Sequence, residues 1–208
     1  MASSEMKSLV IDPVMDKNPV TVQSLGICSA LAVTTQVAPS LVMAIAVTVV
    51  IACSNAVISS IRNLIPSKIR IIVQLVVVAT MVILVDQVLK AYAYNVSKSL
   101  SVFVGLIITN CIVMGRLEAF AMHQPVGKSF LDGIASGIGY GWVIVLVGFC
   151  RELLGSGKVL GVQVVPDALY DIGYTNNGLM VLAPGAFLLL GTIIWIQRTI
   201  NDSLQEKE

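Results

Sequence analysis

Charge is what this chain most conspicuously lacks. Only 12% of its 208 residues are Asp, Glu, Lys or Arg, while 56% are hydrophobic; a soluble domain carries about 25% charged residues. With a mean hydropathy of +0.89, a water-soluble globule is excluded and an integral membrane protein is expected. The net charge of +1 excludes a clustered basic surface, so no nucleic acid is expected as a partner. Histidine occurs once, at His123 in a polar stretch, and no nucleophile stands at readable spacing from a base. No glycine-rich phosphate loop follows a strand. The four cysteines, Cys28, Cys53, Cys111 and Cys150, lie in or beside apolar segments, so a disulfide framework is not expected either.

The first residues, polar and mixed in charge, lack the basic region, apolar run and small-residue cleavage site of a signal peptide. Residues 1–19 are expected to be a retained cytoplasmic tail, 20–197 a membrane domain, and 198–208 a C-terminal cytoplasmic tail. No sizeable soluble domain fits, so any large chemistry must come from partners.

What is present is a series of six apolar segments, at 20–37, 40–61, 69–89, 100–115, 134–154 and 179–196. Pro39 stands where a helix can begin. Assigning alternate connections to opposite faces puts nine Lys and Arg residues on the side of both termini and four on the other. The positive-inside rule then makes both termini cytoplasmic.

Two short strings repeat. RNLIPSKI, from Arg62, and RELLGSGKV, from Arg151, share Arg, Leu, an aliphatic, Ser, Lys and a final aliphatic in the same order. Their offset of 89 is close to the 83 that separates Cys28 from Cys111. A duplicated unit of three spans must insert its copies in opposite senses, so the expected fold is all-α, with six transmembrane helices in two inverted three-helix repeats. Segments one and four are the weak spans. Residues 100–115 give about 24 Å of helix against a hydrocarbon core of about 30 Å, and segment one carries Gln23, Ser24, Ser29, Thr34 and Thr35. Short or interrupted segments at corresponding positions point to a site at mid-membrane.

Cys28 and Cys111 lie in those two segments. A thiolate buried among apolar groups is unfavourable unless a metal replaces its proton, and two thiolates are half the usual ligand set of a [2Fe-2S] cluster. The alternative is that each is a small buried hydrophobe. Cys53 has no counterpart, since the offset of 89 falls on Trp142, and with Cys150 it is assigned to packing. Asp86 is either an intramembrane carboxylate on an ion path or the partner of Lys90 one helical turn on. Asp132 is either an ion-path residue or, at the start of segment five, a helix cap. Glu118 and Glu152 are expected to balance their neighbouring arginines, and Gly133 with Gly137 to allow close helix packing.

The strings GICSALAVT, LSVFVGLIITNCIVMGR, EAFAM, RELLGSGK and GLMVLAP resemble the NqrD/RnfE family, the D subunits of sodium-translocating NADH:quinone reductases and their Rnf counterparts, over residues 20–195. The resemblance implies a six-helix component of a six-subunit translocase in the bacterial inner membrane, without a complete active site of its own. It would pair about a pseudo-twofold axis with a paralogous E subunit, each contributing two cysteines to one intramembrane [2Fe-2S] cluster, here Cys28 and Cys111. NAD, FAD, FMN, riboflavin and ubiquinone would lie on other subunits. Electron transfer would be coupled to export of sodium ions, with Asp86 and Asp132 near the ion path. An equivalent subunit of an Rnf-type ferredoxin:NAD oxidoreductase is the alternative, and an inverted-repeat secondary transporter or a passive membrane anchor are further ones.

Overall fold

A computed structural model describes residues 18–92, 105–159, 162–163 and 177–200. Its helices are α1 (Ile27–Val33), α2 (Val37–Ile61), α3 (Arg70–Tyr92), α4 (Cys111–Arg116), α5 (Val126–Ser156) and α6 (Ala183–Ile200). α4 runs on into a π-helical turn, Leu117–Ala121. Three single 3₁₀ turns, Arg62–Leu64, Ser67–Ile69 and Gly178–Met180, sit in the connections, and Lys158–Val159 pairs antiparallel with Val162–Gln163. Among the described residues, four helical stretches are long and apolar enough to cross a membrane: Val37–Leu64, Ser67–Ala91, Val126–Ser156 and Ala183–Ile200.

Their composition explains why. α2 contains no charged residue, and two of its hydroxyls bond the backbone one turn back, Thr48 donating to the Ala44 carbonyl at 2.7 Å and Ser60 to the Ala56 carbonyl at 3.0 Å. A polar side chain that bonds its own backbone can face lipid at little cost. α3 and α6 carry many exposed apolar side chains, among them Ile71, Ile72, Val76, Phe187 and Leu188, a surface that water does not tolerate.

The core is the antiparallel packing of α2 on α5. A Cβ built on Gly133 would lie 2.7 Å from the Ala52 Cα, and one on Gly137 would lie 2.6 Å from the Thr48 Cα. Gly141 follows against Ala44 and Gly148 against Ser40. Each step up one helix is a step down the other, so the glycine spacing expected to pack closely is the first half of a longer ladder of small residues.

The weak segments are broken, and several boundaries move. In segment one only α1 is a helix. Residues 18–25 form turns held by Asn18, whose Oδ1 accepts from the N–H groups of Val20 and Thr21 and whose amide donates to the Gly139 carbonyl at 2.8 Å. Asn18, which falls within the 1–19 expected to be a tail, is itself buried. Thr34 to Gln36 break the chain between α1 and α2. In segment four, residues 105–108 make one helical turn, Thr109 and Asn110 interrupt it, and the helix restarts at Cys111; residues 100–104 of that segment lie outside the described residues.

Segment five begins at Val126 rather than Ile134. Asp132 is therefore inside the second turn of α5 and is not its cap, contrary to the capping reading. A charge beside an apolar run reads in sequence as the boundary of that run. Here the carboxylate is neutralised by a cation and the helix continues through it.

Candidate metal centre

Cys28 is the second residue of α1 and Cys111 the first of α4. Although 83 positions apart, the two side chains are brought close enough to interact, and both are exposed at the protein surface. Behind them the chain is tightly determined. Ser29, directly after Cys28, donates to the Gly26 carbonyl at 2.8 Å. Asn110, directly before Cys111, donates from Nδ2 to the Ser29 Oγ at 3.0 Å, while its Oδ1 caps α4 by accepting from the Ile112 N–H.

The third member is Tyr140 of α5, whose Oη lies 2.8 Å from the Ser29 Oγ. A serine hydroxyl has one proton and two lone pairs. With its proton on Gly26, Ser29 accepts from both Asn110 and Tyr140. Ser29, Asn110 and Tyr140 are all buried. Gly26 adopts φ 80°, and a Cβ there would lie 3.1 Å from the Tyr140 ring, so this turn needs glycine for its backbone and for its space.

α5 also holds the far ends of both short helices. At its start, Asp132 takes Arg116, the last residue of α4: Arg116 Nε donates to one carboxylate oxygen at 3.0 Å and Nη2 to the other. At its end, Arg151 donates to the Leu31 carbonyl and the Thr34 Oγ1 at the end of α1, and also to the carbonyls of Met180 and Val181. Along one helix, Asp132, Tyr140 and Arg151 thus fix the end of α4, the meeting point of α4 and α1, and the end of α1.

The remaining candidates are placed elsewhere. Asp86 lies on α3 with Lys90 Nζ at 2.6 Å, the pairing read as its structural alternative. Glu118 bonds Arg70 and Gln74, and Glu152 accepts the Val37 N–H at the start of α2 at 2.6 Å. The expectation that each glutamate balances its neighbouring arginine is corrected: Arg116 is used by Asp132, and Arg151 is surrounded by carbonyl oxygens. Cys53 lines an apolar groove of about 530 Å³ between α2 and α3, and Cys150 is half-buried on α5. Among the described residues no third His, Cys, Asp or Glu joins Cys28 and Cys111.

Sequence reasoning did not assign Asn110 or Tyr140. Asn110 had a signal, an amide in the middle of an apolar string; Tyr140, among glycines, had none.

Fold and site together define a multi-pass helical membrane protein that presents a surface pair of cysteines where two broken helices begin. The family model described as "Rnf-Nqr subunit, membrane protein" matches residues 6–194, and the chain belongs to that family. It is 57% identical, over 206 residues and 99% of both chains, to the D subunit of the Na(+)-translocating NADH-quinone reductase of Yersinia enterocolitica. The same identity and coverage hold for the D subunits of that enzyme in Yersinia pestis and Yersinia pseudotuberculosis.

Proposed function

We propose that the chain is the D subunit of a sodium-translocating NADH:quinone reductase, and that Cys28 and Cys111 supply half the ligands of a [2Fe-2S] cluster shared with a paralogous E subunit. The observation that carries this reading is the juxtaposition of two exposed thiols at the surface, on a rigid buried support and with no further ligand beside them among the described residues. Two thiols are too few for such a cluster, which is usually held by four cysteines. An open face is what a neighbouring protein needs if it is to complete the set. The donor chemistry fits. When bound, the cluster would supply a one-electron carrier at membrane depth. This chain's residues would hold the iron, exclude water behind it through the Ser29, Asn110 and Tyr140 network, and keep the two thiols at fixed separation.

The relatives, which are D subunits of sodium-translocating enzymes over their whole length, favour this complex over its Rnf counterpart. The same proposal includes six spans in two inverted repeats, a bacterial inner-membrane location, both termini in the cytoplasm, and five other subunits carrying NAD, FAD, FMN, riboflavin and ubiquinone. Two features support the repeat: the antiparallel ladder of α2 on α5, and the matching breaks beside α1 and α4. Sodium passage near Asp86 and Asp132 belongs to the proposal too, supported by a carboxylate, Asp132, that is buried inside a span.

Cysteine replacement in the assembled complex tests the reading. Cys28→Ala and Cys111→Ala are expected to lower the iron and acid-labile sulfide content and to abolish quinone reduction. Cys53→Ala and Cys150→Ala should cost only packing, about 1 kcal/mol, and retain turnover. Full iron and normal turnover in the first pair sink the proposal.

A further inference from the structure

We infer that Tyr140 is a positioning residue for the two thiols: its phenol O–H, delivered from the middle of α5, ties the beginnings of α1 and α4 together and sets the separation and orientation of Cys28 and Cys111. This rests on the reading that those thiols bind iron. Tyr140 stands one residue away from each ligand through its partners, since Ser29 follows Cys28 and Asn110 precedes Cys111. The three polar groups form a closed set: Tyr140 and Asn110 both donate to Ser29, and Ser29 donates to Gly26.

Removing the phenol hydroxyl leaves the Ser29 Oγ short of one donor and leaves the amide of Asn110 as the only side-chain link between the two short helices in this set. The ring would remain. It packs against Gly26, so Tyr140→Phe deletes the tie while keeping the volume that shapes the turn. α5 is a suitable base for such a pin because it cannot easily shift. Ala52 and Thr48 sit against its glycines, and its two ends are bound to Arg116 and to the loop at Met180 and Val181. Movement of α1 against α4 would therefore pivot at the Ser29 hydroxyl, which joins the residue after Cys28 to the residue before Cys111. Hydrogen bonding and ligand orientation around a cluster are among the levers that tune its potential.

The test is Tyr140→Phe in the intact complex, read by electron paramagnetic resonance during a redox titration. The expected result is near-normal iron content with a changed cluster spectrum and a shift of at least about threefold in the one-electron equilibrium constant, close to 28 mV at about 59 mV per tenfold. Ser29→Ala, which removes the same tie from the other side, should shift the spectrum likewise. A second measurement uses complex stripped of iron by chelator: bridging of Cys28 to Cys111 by dibromobimane is expected to slow at least about fivefold in Tyr140→Phe.

Wild-type spectrum, potential and bridging rate in Tyr140→Phe, with only a lowered melting temperature, would mean that the hydroxyl is a plain buried hydrogen bond, and the inference is then wrong. Should Tyr140→Phe fail to assemble, Ser29→Ala and its bridging rate decide the matter by the same criteria. The parent reading fails separately, through Cys28→Ala and Cys111→Ala complexes that keep their iron.

Discussion

Asp132 shows how a single charge can be held inside a membrane span. Its side chain is only 1% exposed, and it faces Arg116, which is 14% exposed, through two charge-assisted hydrogen bonds. Arg116 also lies over the Phe120 ring, 5.6 Å from its centroid, so its position is set from both sides. Breaking a buried pair by neutralising one partner strands the other charge, at a cost of about 3–5 kcal/mol, and the partial exposure of Arg116 favours the smaller figure. Asp132→Asn is therefore expected to lower the melting temperature of the complex. If sodium passes this carboxylate, the same variant raises the sodium concentration needed for half-maximal quinone reduction while NADH oxidation by artificial acceptors stays intact. An unchanged sodium dependence would restrict Asp132 to anchoring α4.

At the scale of elements, the two long helices that meet face to face decide where everything else can sit. Gly137 approaches Thr48 so closely that an added methyl group would fall 2.6 Å from backbone, and backbone gives way less readily than a side-chain tip. Gly137→Ala should raise helix propensity by about 1 kcal/mol but incur an overpacking cost of about 1–3 kcal/mol. With the clash on backbone the upper half of that range applies, so the complex is expected to be less resistant to thermal dissociation, whereas Gly127→Ala, with nothing within 4 Å, should be neutral or stabilising. A complex no less stable with Gly137→Ala than with Gly127→Ala would refute the tight ladder. This packing was legible in the sequence because glycines four apart carry a helical period. So was the weakness of segments one and four, since too few apolar residues span too much membrane. What the sequence could not show was partnership across distance. Arg116 and Asp132 are separated by a turn, Arg70 and Glu118 by 48 positions, and Tyr140 reaches Ser29 across 111. Reading each charge against its nearest neighbour pairs Glu152 with Arg151, although its carboxylate caps α2, and it begins α5 too late by taking Lys128 as part of the connection and Asp132 as the start of the helix.

The whole molecule has two ends, and the antiparallel ladder says which connections share one. Ser59 near the end of α2 donates to the Gln124 carbonyl just before α5, and Arg70 meets Glu118. Arg62, Lys68, Arg70, Arg116 and Lys128 are thus gathered at one end. At the other end Glu152 caps the start of α2 and Arg151 holds Met180 and Val181, so Lys158 and the entry to α6 lie there, as does Lys90 at the far end of α3. In the proposed orientation the end bearing Arg62 and Arg70 would be cytoplasmic and the end bearing Lys158 external, in keeping with the preference of basic residues at membrane edges for the cytoplasmic face. Leu64, 84% exposed, and Leu179, 50% exposed, stand at opposite ends and serve as reporters. In a background lacking only Cys53 and Cys150, with labelling of that parent subtracted, Leu64→Cys is expected to react with an impermeant maleimide only in inverted vesicles. Leu179→Cys should react only in right-side-out ones. Labelling of both from the same side would contradict the antiparallel crossing of α2 and α5 and the inverted repeat with it; labelling from opposite sides in the reverse sense would leave the fold standing and overturn the assignment of faces drawn from charge.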